Sequence, residues 1–220
     1  MTERPIIFSG PMVRAILDGR KTQTRRAVKP KYPIEFFGGK GEEGDPRCWG
    51  YGPCDDGTWA LLDNRDGDSE SWQIPCPYGV SGDRLWVRET WGLHRDYERV
   101  YETDKKPCVG FLGYLATDDD DSCPKTIINR WRPSIHMPRW ASRITLEVVE
   151  VRVQRVQDIS EADAVAEGCR QHESAILSRA VGYRATFREL WDSLNANRGH
   201  GWATNPWVWA ITFKRLEGER

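Results

Sequence analysis

The sequence predicts an α+β fold: one domain spanning 1–220, built on a small, partly closed mixed β-barrel with about three flanking helices. Three observations predict it. Strand-like runs at Leu85–Trp91, Arg143–Arg155 and Trp207–Phe213 carry alternating apolar positions. Helical spacing is confined to short segments near Val13, after Ser160 and over Tyr183–Asn195. No strand–helix–strand repetition and no internal repeat of roughly 20–50 residues is visible, which argues against a doubly wound sheet or a solenoid.

Taken in order, Ile6–Phe8 reads as a short strand, and Ser9 as the cap of a helix with Pro11 in its first turn. Met12, Val13, Ile16 and Leu17 share one face of that helix, and Gly19 supplies the left-handed stop. Residues 31–81 are punctuated by glycine and read as a loop-rich insertion with a small hairpin, Thr58–Leu62 being its clearest strand. In Leu85–Trp91, alternation puts Glu89 on the apolar face with Leu85 and Val87. Glu89 therefore lies at the open end of the core or pairs with a cation of the Lys21–Arg26 run.

A second irregular insertion is expected over 94–131, its Asp118–Asp121 run a solvated loop rather than a cation site. In the long strand, Ile144, Leu146 and Val148 alternate, and Val149, Val151 and Val153 continue out of phase, which predicts a β-bulge. Ser160 and Asp163 form a capping box for a helix ending at Glu167–Gly168. Tyr183–Asn195 carries Phe187, Leu190, Trp191 and Leu194 on one stripe, and Trp207–Phe213 is apolar on both faces, as a central or barrel-closing strand would be.

The formal net charge of −1 excludes a protein that coats nucleic acid by bulk electrostatics. Charge is local instead: Lys21, Arg25, Arg26, Lys29 and Lys31 stand together with no acid among them. No run approaches the roughly 18 apolar residues of a membrane span, and Met1–Phe8 lacks a signal-peptide layout, so no membrane contact and a cytoplasmic location are expected. Cys48, Cys54, Cys76 and His94 are too irregularly spaced for a structural zinc site, and no phosphate-cradling glycine loop occurs. No metal and no cofactor is expected.

Chemistry concentrates in Gly19-Arg20-Lys21-Thr22-Gln23-Thr24-Arg25-Arg26, at a helix-to-strand junction. Alone, this run also fits the polar start of a surface strand. With Ile16–Asp18 before it, it resembles the signature of the ASCH domain family, relatives of the PUA RNA-binding domains. The pattern Gly-x-Lys-x-x-Glu-x-Arg is met at Gly19, Lys21 and Arg26, with Thr24 in the glutamate position. The threonine is similar to the bacterial N-acetylcytidine amidohydrolases of that family, whose catalytic set is a lysine, a threonine three residues on and a distant glutamate. Gly82–Trp91, the Pro133–Ser142 loop and Asn205–Trp209 also resemble phage and prophage members, so a phage origin would place the protein in the host cytoplasm. The resemblance leaves 31–81 and 94–131 uncovered.

What the resemblance implies is an ASCH/PUA-like barrel and a metal-independent amidohydrolase acting on an acylated cytosine base or nucleoside. Thr24 would be the nucleophile, Lys21 its activating base and Glu167 the assisting acid. Residues three apart on an ideal strand face opposite ways, so Lys21 and Thr24 converge only if Lys21 is still in the turn or a bulge intervenes. Arg20, Arg25, Arg26, Glu89, Arg139 and Arg143 would contact the ligand, with Trp86, Trp140 or Trp207 stacking the base. The alternative is an RNA-binding module, or an ASCH ribonuclease, using the same basic residues.

Overall fold

The computed structural model describes residues 1–29, 52–53, 59–64, 71–74, 76–104, 112–117, 128–170, 173–174, 179–180 and 182–217. The fold is mixed α+β. Its elements begin with β1 (Glu3–Ile7), α1 (Gly10–Leu17) and β2 (Gln23–Ala27), followed by the short strands β3 (Gly52–Pro53), β4 (Trp59–Asn64) and β5 (Ser71–Ile74). β6 (Arg84–Arg88), β7 (Trp91–His94), α2 (Arg95–Asp104), β8 (Leu112–Tyr114) and β9 (Ile128–Arg132) follow. The chain continues through β10 (Thr145–Arg155), α3 (Glu161–Ala166), β11 (Glu173–Ser174), β12 (Arg179–Ala180), α4 (Tyr183–Asn195) and β13 (Trp207–Leu216).

The main sheet has five strands in the order β1-β6-β10-β13-β2. β1 runs parallel to β6, β6 antiparallel to the start of β10, and β13 antiparallel to β2 with Ile211 opposite Thr24. β1 and β2 are the two ends of this order, so among the described residues the sheet does not close on itself. β3-β4-β5 and β8-β7-β9 form two antiparallel three-stranded sheets. β4 is the strand expected around Thr58–Leu62.

The chain divides into two compact units. The first comprises Met1–Arg20, Asp83–Glu147 and Lys214–Arg220; the second comprises Lys21–Gly82 and Val148–Phe213. In the first, Trp91, Leu93, Met137 and Ala141 form a buried cluster, with Tyr101, Leu112, Tyr114 and Trp140 packed against it. Here the expected irregular insertion over 94–131 is corrected: it holds α2, β8 and β9. Gly92 on β7 stands where an added Cβ would run into the Ile128 side chain and the Arg130 carbonyl, so β7 and β9 approach closely only because that position is bare.

The single strand expected over Leu85–Trp91 is two strands. Leu85, Val87 and Glu89 are buried as alternation predicts, but the Glu89 amide donates to Met137 Sδ at 3.3 Å rather than joining the ladder.

In the second unit, Val156, Ile159, Ala164, Phe187, Trp191 and Val208 form the buried cluster. α4 has the predicted bounds, yet Leu194 is 54% exposed, so the apolar stripe ends at Trp191. α3 is capped as the sequence predicts. The Asp163 amide donates to Ser160 Oγ at 3.0 Å, and the Ser160 amide donates to Asp163 Oδ2 at 3.3 Å. Along β10, burial passes from Leu146 and Val148 to Val151 and Val153, a change of phase where the sequence predicts a bulge. Val149 itself is 46% exposed, so the slip covers Val149–Glu150.

Candidate functional site

Gly19 ends α1 in a Schellman motif. Its φ is +73°, its amide donates to the Ile16 carbonyl at 3.0 Å, and the Arg20 amide reaches back to Ala15 at 2.9 Å. The next residue, Lys21, forms an isolated antiparallel bridge with Glu167, the residue that closes α3. Around it, the Thr22 amide donates to the Ala166 carbonyl at 2.8 Å, and the Phe213 amide donates to the Thr22 carbonyl at 2.9 Å.

Both Lys21 and Glu167 are buried, at 3% and 4% exposure. Lys21 Nζ donates to Glu167 Oε2 at 2.7 Å, to the Glu167 carbonyl at 2.8 Å and to the Gln23 carbonyl at 2.7 Å. An ammonium has three protons, and three acceptors meet it. One of these is a carbonyl at a helix C-terminus, where positive charge is favoured.

The second oxygen of Glu167 belongs to Arg25, whose Nη1 donates to Oε1 at 3.2 Å and to Gln23 Oε1 at 2.5 Å. Arg25 Nη2 lies 3.2 Å from Asp163 Oδ2, and Asp163 Oδ1 lies 3.5 Å from Arg152 Nη2. Lys21, Gln23 and Arg25 are spaced two apart, and all three turn into this network. Alternation along β2 places Thr24, also buried, on the other face. The structure thus brings Lys21 and Glu167 together, and the three hydrogen bonds of Nζ go elsewhere than to Thr24.

Burial holds the Lys21 ammonium below its ordinary pKa; Glu167 opposes that shift and the Arg26 charge adds to it. Burial also works against the Asp163 carboxylate, but Arg25 and the Ser160 hydrogen bonds outweigh it and keep its pKa below the usual value. Burial, then the Glu167 charge, pushes the Cys169 thiol up to about 11 against Lys21 and Arg25. That thiol is protonated at neutral pH and is no nucleophile in this state.

The Lys21 shift has a consequence for stability. Between its folded-state pKa and the ordinary 10.5, the unfolded chain binds a proton that the folded protein lacks, so stability rises with pH across that window. Below the window both states are protonated and the cost of the buried charge is fully present. Urea unfolding from neutral to alkaline pH is expected to give a more positive stability slope in wild type than in Lys21→Met, the raised Cys169 pKa acting the opposite way in both. Equal slopes for the two proteins would place the Lys21 shift elsewhere.

The remaining candidates are placed as follows. In the second unit, Arg26 is half-buried on β2, and Trp207 is buried with the Arg155 guanidinium 4.2 Å from its ring centroid. Arg25, expected to touch ligand, has a fully buried side chain already held by Glu167 and Asp163. In the first unit, Arg20 pairs with Asp18 at 2.9 Å, and Arg139 pairs with Glu3 at 2.8 Å. The Arg139 hydrogen bond is the first cause that lowers the Glu3 pKa below its ordinary value. Trp86 is half-buried beneath the Arg88 guanidinium at 5.5 Å, and Trp140 packs edge-on to Trp91 at 5.8 Å.

Glu89 does pair with a cation, but with Arg143 rather than with one from the Lys21–Arg26 run. Nε donates to Oε1 at 2.9 Å and Nη2 to Oε2 at 3.0 Å, with Arg143 stacked 4.0 Å over Tyr114. Sequence reasoning missed Gln23, saw Asp163 only as a cap, and passed over Cys169. The two-residue spacing from Lys21 through Gln23 to Arg25 was the signal for the first.

Among the described residues, no group of three or more His, Cys, Asp or Glu side chains is placed to hold a metal, and no helix is long and apolar enough to cross a membrane. Cys48, Cys54 and Asp118–Asp121 lie outside the described residues. No family model, no curated protein and no solved structure matches the chain.

Proposed function

We propose that the chain is an ASCH-like amidohydrolase that removes an acyl group from an acylated cytosine base or nucleoside, with Lys21 and Glu167 as its acid–base pair. On this reading the five-stranded sheet, with the motif on its end strand β2, corresponds to the partly closed barrel of an ASCH/PUA-like domain. The observation that carries the proposal is the 2.7 Å contact between two buried groups 146 residues apart, which the resemblance pairs from sequence. Burial eases loss of the Lys21 proton, and Glu167 Oε2 is the adjacent group able to take it. The neutral amine then accepts the proton of an attacking hydroxyl, and protonated Glu167 returns its own to the leaving amine. Where the attacking hydroxyl is a side chain's, water then breaks the acyl–oxygen bond, one of its protons restoring that hydroxyl and the acyl group leaving as the acid.

The resemblance makes Thr24 the attacking hydroxyl; water in its place is the direct alternative, given the face on which Thr24 sits. The RNA-binding reading draws less support, because Arg20, Arg25, Arg139 and Arg143 are each already engaged by a carboxylate of this chain.

The test is chromatographic release of cytidine from N-acetylcytidine. Wild type is expected to turn over, and Lys21→Ala to lose about 100-fold or more while circular dichroism stays native. Thr24→Ala losing as much makes Thr24 the nucleophile, and near-wild-type turnover assigns attack to water. No wild-type turnover on any acylated cytidine overturns the substrate assignment.

A further inference from the structure

We propose that Arg25, braced by Asp163 and Gln23, is a positioning residue that clamps Glu167 Oε1 and so presents Oε2 to Lys21. The inference rests on the acid–base role given to that pair above.

A carboxylate held by one cation alone can turn about its own axis and offer either oxygen. Glu167 cannot: Lys21 Nζ takes Oε2 at 2.7 Å, and Arg25 Nη1 takes Oε1 at 3.2 Å. Arg25 is itself fixed from several elements. Gln23 on β2 accepts from Nη1, Asp163 on α3 faces Nη2 at 3.2 Å, and Phe187 on α4 lies 5.8 Å beneath the guanidinium. Arg152 on β10 holds the other Asp163 oxygen at 3.5 Å. Among the described residues, the charged and titratable groups of this network include Arg25 and Arg26 from β2, Asp163, Glu167 and Cys169 from α3 and its end, and, through Asp163, Arg152 from β10.

Two cations share one carboxylate here, so each receives only part of its charge. Without Arg25, Glu167 turns wholly to Lys21, the ammonium is favoured, and the proton is released only at higher pH.

The experiment is an NMR titration of the Lys21 side chain in the full chain, beside the pH dependence of kcat on acylated cytidine. Arg25→Gln is expected to raise the Lys21 midpoint by about one pH unit, and to move the kcat profile upward with it while KM changes less than about twofold. Arg25→Lys is expected to recover part of both. A folded Arg25→Gln protein with an unmoved Lys21 midpoint overturns the proposal, as does a fall in kcat without movement of the profile. If Arg25→Gln does not fold, Asp163→Asn, which loosens the brace and leaves Arg25 in place, must shift the midpoint the same way; no shift overturns the proposal. If wild type hydrolyses no acylated cytidine, the function fails on that result, and the titration still decides the role of Arg25.

Discussion

Glu167→Ala is expected to lower stability by about 3–5 kcal/mol in urea unfolding, the usual cost of removing one partner of a buried ion pair. Lys21 and Arg25 are both buried against that one carboxylate, so its loss takes an anion from two cations at once and leaves Arg25 its Asp163 contact. Neutralising one of them should relieve the strain. Lys21→Met in the Glu167→Ala background is therefore expected to recover about 1–3 kcal/mol relative to the sum of the single changes. A Glu167→Ala protein within about 1 kcal/mol of wild type would show that the pair is hydrated and replaceable, contrary to its burial. On the proposed mechanism turnover is expected to vanish in the same variant, because Glu167 is the group proposed to return a proton to the leaving amine.

In the first unit, Glu89→Ala is expected to cost about 3 kcal/mol, toward the low end for a buried pair because Arg143 keeps some solvent contact. Glu89 is 1% exposed and receives both arms of the Arg143 guanidinium. Thr117 and the Tyr114 ring also hold Arg143, so the arginine stays in place while its charge goes unanswered. Glu89→Gln, which keeps the shape and one acceptor, should lose less. Raising salt should change the wild-type value little, since the pair is shielded from the screening ions. A loss that disappears at high salt would mean a surface pair.

What was legible in the sequence follows from where the physics is local. α1, α3 and α4 announce themselves through Gly19, the Ser160–Asp163 box and the Phe187–Trp191 spacing, each a signal within a few residues. β6, β10 and β13 show in alternation, and the change of phase in β10 shows with it. α2 stayed hidden because Arg95–Asp104 is charged along most of its length, with Tyr97 and Tyr101 as its aromatic pair one turn apart. The strands β8 and β9 are short and make sense only as partners of β7, which no local window reveals.

The site divides the same way. Lys21 and Glu167 came from a resemblance, whereas the Arg25 clamp depends on α3 returning to β2, a tertiary fact. Arg25 read as a ligand-binding cation for want of that knowledge.

The distance along the chain between Lys21 and Glu167 also sets when the site can exist. At ribosomal speeds of roughly 5–20 residues per second, their 146-residue separation sets their synthesis about 7–30 seconds apart. β2 waits longer still, since its ladder partner is Val208–Thr212. Until then the motif strand is an unpaired edge, and before α3 emerges its cations lack Asp163 and Glu167. Local pieces such as α1 can form early, but closure of β2 onto α3 and β13 is a long-range event of the kind that slows folding. A nascent chain that has not yet delivered α3 holds Lys21 without the carboxylate it pairs with in the folded protein.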